Sequence, residues 1–397
     1  MTTVGQALHA PAARLRRLAA HPVGWVGTRL LLAFALPLGY PSRTQMLGDV
    51  TRYEAWAGQL AHGHYPTDDP TWQYPPGAAL LMLIPRWSAR GGISYHAGFV
   101  ALMVGADLVA YLCLRREGQT PAAVWVLGGF LLGPLLLNRF DAVPAAFAVL
   151  AVAAALRGQG VRMGASLGVG ALVKAWPVLI AVVAPTGQRI RVAVGAAVAA
   201  CVALVALIAT GTLGDSTDFA RQQRSRGIEI EAIAGLPWMI GRWLRGRHAA
   251  PSQRYGSYEV HGGPVTAVTV VCTVLSLALI VGFVVALWVR RLALEPTAVV
   301  LVIVLGVLLL ARVLSPQYLP WALGLAAIAS TRSAAAARSA WLLVATCAFT
   351  QLEYPLAFSP VVHARTVGVL ILIARDALLV ASAWWAVRAL RPPEPAT

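Results

Sequence analysis

Apolar runs of about 20 residues recur from end to end of this chain, and no other feature limits its fold so tightly. Roughly 20 apolar residues in an α-helix cross a hydrocarbon core about 30 Å thick, because backbone groups that meet no water must be satisfied within the segment. The 397 residues are 58% apolar and only 12% charged, about half the charged fraction of an ordinary soluble domain. Too few charges remain to cover a water-facing surface of this size. A soluble enzyme is excluded, and the predicted fold class is an all-α polytopic membrane protein with one domain over residues 1–397.

The first run, Val23 to Tyr40, follows Arg14, Arg16 and Arg17. With many runs behind it, it reads as a retained span and not as a cleaved signal. Arg29 within it is expected to snorkel. Eleven further runs cover Ile93–Leu114, Pro121–Leu137, Val143–Leu156, Met163–Val173, Trp176–Ala184, Val192–Thr210, Val265–Val289, Thr297–Ala311, Tyr318–Ala329, Ala340–Leu352 and Val362–Val387. About twelve crossings are therefore expected. The two runs that flank Lys174 are short, and they are either two half-length helices or one kinked span. The four cysteines all lie in apolar runs without metal-site spacing and read as small core residues.

The net charge of +16 comes from arginine, since Lys174 is the only lysine. Many arginines sit at the ends of apolar runs, where membrane orientation wants them, so no nucleic-acid partner is inferred. With the Lys174 pair counted as two crossings and the N-terminus inside, Arg115/Arg116, Arg157/Arg162, Arg189/Arg191, Arg290/Arg291, Arg332/Arg338 and Arg388/Arg391 all fall on the cytoplasmic side. Both termini are then cytoplasmic. The segments richest in polar chemistry come out together on the other face: the first loop 41–92, Asn138–Pro144, the break at Lys174, the second loop 211–264, Arg312–Trp321 and Leu352–Pro355. Tyr74 to Trp87 is apolar but too short to cross, and suits a juxtamembrane helix along the outer interface.

These polar segments carry a resemblance. GDVTRYEAW (Gly48 to Trp56), AHGHYP, QYPPGAALL (Gln73 to Leu81), NRFDAVPA, LVKAWP, RSRGIEIEA (Arg224 to Ala232) and VLSPQYLPW follow one another as the motifs of glycosyltransferase family 87 do. That family belongs to the GT-C superfamily of integral membrane enzymes. The resemblance implies a GT-C bundle of about twelve transmembrane helices with extracytoplasmic juxtamembrane helices, in a bacterial cell membrane. It implies an inverting hexosyltransferase that moves a sugar, with mannose foremost, from a polyprenyl-phosphate donor to a glycolipid or glycan acceptor. Where many GT-C enzymes carry an acidic pair, this chain has Leu47-Gly48-Asp49, so no metal or other cofactor is expected.

Glycosyl transfer needs a base for the acceptor hydroxyl and cations for the departing phosphate. Asp49 fits the base, although as a purely structural residue it would cap a helix starting near Val50. Lys174, Arg139, Arg224, Arg226 and Arg312 are the candidates for the phosphate. Tyr53, Trp56, Tyr74, Glu231, Gln317 and Tyr318, within the family-like motifs, are expected at the substrate. The competing reading is a lipid-linked glycan flippase or transporter, for which intramembrane Asp107 and Asp376 would be central. Topology is open to direct measurement. In a background without native cysteines, single cysteines in the 211–264 loop should react with an impermeant maleimide from outside, whereas labelling near Arg189 from outside would invert the orientation.

Overall fold

The computed structural model describes residues 13–35, 40, 43–89, 91–217 and 226–391, so Arg224 lies outside the described residues. Every apolar run yields helix. In chain order these are α1 (Ala13–Ala20), α2 (Pro22–Leu30, continued by a π-turn to Ala35), α3 (Arg43–Leu60), α4 (Gly77–Ala89), α5 (Tyr95–Glu117), α6 (Gln119–Leu131), α7 (Leu135–Asn138), α8 (Ala142–Leu156), α9 (Gly160–Val173) and α10 (Arg189–Ala209). After the second loop follow α11 (Leu236–Leu244), α12 (Gly263–Val284), α13 (Pro296–Leu309), α14 (Leu319–Ala329), α15 (Ala334–Gln351), α16 (Phe358–Val362) and α17 (Thr366–Arg388). The second loop also holds a small antiparallel sheet, β1 (Ile228–Glu229), β2 (Ser252–Arg254) and β3 (Ser257–Val260) in the order β1-β3-β2, an addition to the expected all-α fold.

Among the described residues, four helices are long and apolar enough to cross a membrane alone: α5, α10 with its leading turn, α12 with its π-turn, and α17. The pair α1 and α2, bent by 78°, makes a fifth. Other expected spans fold as shorter apolar helices, and the reason is burial in protein. Every residue of α14 is buried, as are most of α8 and α13. A helix enclosed by other helices is apolar all round whatever its length. By contrast, none of the most apolar window of α12 is buried, and only 11% of that in α10. Their outward Val, Leu and Ile side chains would be aggregation surfaces in water and meet lipid here.

The break at Lys174 resolves into two oppositely directed pieces. Gly160 lies beside Arg191 and Gly168 beside Ala199, so α9 and α10 run parallel. The chain from Lys174 to Gln188 therefore returns along the length of α9. It does so largely as a 3-10 helix, Trp176–Val183, whose steeper rise covers about 16 Å in eight residues against about 21 Å for α9. Glycines let α9 and α10 approach: a Cβ on Gly164 would sit 1.9 Å from the Val192 carbonyl, and one on Gly195 would sit 2.2 Å from that of Val161. Small residues at such crossings let helix backbones touch without side-chain loss.

Arg29 does not snorkel. It is buried in the bundle, where Nε and Nη2 grip both oxygens of Asp107 at 2.8 and 2.7 Å, and Trp25 and Trp125 donate to the same carboxylate. Asp376 is likewise paired with its neighbour Arg375. Both carboxylates of the transporter reading are thus matched by buried arginines, and the Arg29–Asp107 pair joins two helices. Replacing Arg29 with Met should cost about 3–5 kcal/mol, because Asp107 is left charged and unpaired. The double variant Arg29→Met/Asp107→Asn should recover most of it, as read by thermal unfolding in detergent; equal losses would show that the pair contributes little.

Candidate active site

Helix α3 starts at Arg43, so Asp49 stands inside it and caps nothing. Its two oxygens face guanidiniums: Oδ2 is 2.7 Å from Arg139 Nε and Oδ1 is 3.5 Å from Arg52 Nη1. Arg139 is extended between α7 and α8, which drives its side chain down behind Asp49, where it also donates to the Asn138 carbonyl and the Tyr354 hydroxyl. About a quarter of the Asp49 side chain stays exposed, against 5% for Arg139.

Two residues on, Asp141 enters α8 without a side-chain capping bond. Its Oδ1 instead accepts from Lys174 Nζ at 2.6 Å and from Trp321 Nε1 at 2.8 Å. Lys174 owes this reach to an extended backbone where α9 stops. Four rings surround its ammonium, with centroids 4.4 Å (Tyr318), 4.9 Å (Trp321), 5.2 Å (Phe140) and 5.9 Å (Tyr74) away. Cation–π attraction and the carboxylate offset part of the desolvation. Burial still wins on both partners: it pushes the Asp141 carboxyl above its ordinary value against the pull of Lys174, and the Lys174 amine below its own against the pull of Asp141.

The second loop closes the site from the other side. Arg226 donates to Glu259 through Nε at 2.9 Å, to Gln73 through Nη1 at 3.0 Å and to Ser257 through Nη2 at 2.6 Å. This ties β3 to the first loop. Glu229 on β1 accepts from the Leu314 amide at 2.8 Å and the Ser315 hydroxyl at 3.2 Å, and its own amide donates to the Arg312 carbonyl. Burial holds its carboxyl above the ordinary value.

These groups converge on a cavity of about 320 Å³. Asp49, Tyr74, Lys174, Arg226, Gln317 and Tyr318 line it, all expected from sequence. Arg52, Gln73, Trp176, Glu229 and Trp321 line it as well, within the same motifs but not singled out there. Trp321 stacks between Trp176 and Tyr318, with centroids 5.0 and 4.2 Å away, as one aromatic wall. Other expected residues lie elsewhere. Arg139 stands behind Asp49, Arg312 faces a neighbouring groove, and Tyr53 and Trp56 are buried beneath the cavity among Phe99, Phe140 and Trp72. The turns bearing Glu117 with Arg157, Arg189 with Trp288, and Arg338 with Trp385 gather at the other end of the bundle.

A family model described as glycosyltransferase family 87 matches residues 72–316. The chain belongs to that family. Comparison with curated proteins and with solved structures gives no match. The chain is thus a membrane glycosyltransferase, and the match takes in Tyr74, Arg139, Lys174, Arg226 and Glu229 while Asp49 precedes it.

In this glycosyltransferase, Glu231 sits away from the cavity, past a turn that follows β1. It is buried beside Glu353, and its carbonyl accepts from Arg375. Burial, with Glu229 and Glu353 adding like charge, pushes its carboxyl well above the ordinary value. A raised carboxyl means that the folded state holds a proton the unfolded state has released, so stability falls as pH rises from the ordinary carboxylate range toward the raised value. Glu231→Gln removes this contribution. The fall in melting temperature between pH 5 and 8 should be smaller in that variant than in the parent chain, and equal slopes would show that Glu231 is ionised throughout.

Proposed function

We propose that this glycosyltransferase moves a hexose, with mannose foremost, from a polyprenyl-phosphate donor to a hydroxyl of a cell-envelope glycolipid or glycan on the extracytoplasmic face. The observation that supports this best is the meeting of Asp49, Lys174 and Arg226 in one cavity, at the end of the bundle away from the Arg-bearing turns. The whole chain acts as one domain, with loops 41–92 and 211–264 roofing the site and both termini cytoplasmic. Such a carboxylate among cations suits a reaction in which one group loses a proton while another leaves as an anion.

Asp49 is the base. The acceptor oxygen attacks the anomeric carbon as its proton passes to a carboxylate oxygen of Asp49, and the bond from that carbon to the phosphate oxygen breaks on the opposite face. The electron pair goes to the phosphate, so the configuration inverts and no covalent enzyme intermediate forms. Arg226, Lys174 and Arg312 lower the energy of the charge that builds on the phosphate. Arg139 holds Asp49 toward the cavity, and the Trp321 wall gives the sugar a flat face. The sequence carries no Gly-rich strand-to-helix fingerprint of the kind that cradles a nucleotide pyrophosphate. An activated sugar on a membrane carrier fits a site flanked by lipid-facing helices.

Asp49→Asn should retain donor binding and lose at least roughly 100-fold in turnover, the scale of a missing general base. The assay is transfer by purified enzyme in nanodiscs from a polyprenyl monophosphate mannose, with chelator present. Near-normal turnover would leave Asp49 as the ion-pair partner of Arg139. Transfer from a nucleotide sugar without a lipid intermediate would sink the donor class.

A further inference from the structure

The cations at the reaction cavity are matched by carboxylates: Arg139 and Arg52 with Asp49, Lys174 with Asp141, Arg226 with Glu259. Arg312 differs. Among the described residues no carboxylate pairs with it, and its hydrogen bond runs from Nη1 to the Arg226 carbonyl at 3.4 Å. Burial and the like charge of Arg226 depress its pKa below the ordinary arginine value, against the smaller opposing pull of Glu259, the carboxylate that Arg226 already holds. A partly desolvated guanidinium beside a second one is stabilised by a bound anion, and phosphate matches its fork of donors.

The space in front of Arg312 has the shape of an amphipathic ligand. A groove of about 470 Å³ has Arg312, Arg226 and His261 at its head, and below them runs one face of α12. The face is set by helical spacing, with Val265, Thr266, Thr269 and Thr273 at intervals of one, three and four residues. Its threonines keep their hydroxyl hydrogens within the helix: Thr266, Thr269 and Thr273 donate back to the carbonyls of Gly262, Val265 and Thr269. Val265, Val270 and Val274 line the groove beside them. The groove is thus cationic at the top, apolar below, and open on the side where α12 is bare to lipid. Arg226 lines both this groove and the reaction cavity.

We propose that this groove is where the donor's carrier lipid enters and rests, with its phosphate between Arg312 and Arg226 and its first isoprene units along the Val265–Thr273 face of α12. This rests on the reading of the donor as a polyprenyl phosphate. Arg226 then holds the phosphate at the boundary of the two spaces, so the sugar points toward Asp49 while the chain stays in the membrane. An ordinary phospholipid shares the phosphate but has no sugar to present, so continuity with the reaction cavity selects the isoprenoid.

The test uses the full chain in phosphatidylcholine nanodiscs, with decaprenyl monophosphate as the binding probe and donors of ten and two isoprene units in the transfer assay. Arg312→Gln should weaken binding of decaprenyl monophosphate at least about tenfold. Thr273→Trp, on the bare face, fills the groove well below the phosphate, and should lower the ratio of long-chain to short-chain kcat/KM at least about tenfold. Thr269→Trp does the same one turn higher and serves if the first variant fails to fold. Phosphatidylglycerol in the nanodisc should not displace the probe. An unchanged chain-length ratio in a folded groove variant overturns the groove while leaving the enzyme reading intact. Competition by inorganic phosphate or phosphatidylglycerol as strong as that by the probe overturns the isoprenoid assignment. Sugar transfer by a parent chain that binds no decaprenyl monophosphate overturns the donor reading, and the groove with it.

Discussion

Charge matching in a water-poor interior governs how this chain is put together. A carboxylate or guanidinium taken from water into an apolar bundle loses several kcal/mol of hydration, and a partner with good geometry is the main way to offset that. The bundle satisfies this three times over. Arg29 and Asp107 meet with two indole donors, Lys174 meets Asp141 inside a ring of aromatics, and Arg375 bridges Asp376 and Glu353. The Arg29–Asp107, Lys174–Asp141 and Arg375–Glu353 pairs join segments distant in sequence that would otherwise have only non-directional apolar contact. They therefore specify which helix face meets which, something hydrophobicity alone does poorly when lipid is as apolar as the core.

The same constraint explains why the polar chemistry lies at one end. Central helices α8, α9 and α14 are too short to carry their termini to both rims of the bundle at once, and their ends bring Asp141, Lys174 and Tyr318 to the same level. Backbone freed at those breaks needs partners or water. Segments around the cavity supply partners, as where the Glu229 amide donates to the Arg312 carbonyl and the Leu314 amide to the Glu229 carboxylate, which is why irregular backbone collects there and regular helix elsewhere. The second loop completes the enclosure through a sheet of only three short strands, pinned by Arg226 to Gln73 and by Glu229 to the Leu314 amide.

Sequence made the helices legible because lipid and protein core impose the same apolarity. For that reason it could not separate them, and α8 and α14 look like spans although protein covers them. The motifs were legible too, but not which of their residues face the cavity. Helical period puts Asp49, Tyr53 and Trp56 on one face of α3, and only the packing of Trp72, Phe99 and Phe140 against the latter two shows which turns of that face are covered. Strand period likewise gives Glu229 and Glu231 one direction, until the turn after Ile230 sends Glu231 inward to Glu353. Arg29 had no signal for pairing, since its partner lies 78 residues away.

The inward position of Glu231 has a structural consequence for the site. Arg375 donates to the Glu231 carbonyl from within α17 while holding Glu353 and Asp376. A buried cation from a spanning helix thereby fixes the peptide that follows β1. Two residues earlier, Glu229 receives the Leu314 amide, and the Arg312 carbonyl receives the Glu229 amide. The path from Arg375 through residue 231 to Glu229 thus sets the height of Arg312 relative to the cavity. Arg226 and Arg312 are held as close neighbours by backbone and carboxylate anchors that neither cation could supply alone. Like charges brought so close must be restrained from separating, and these anchors do so.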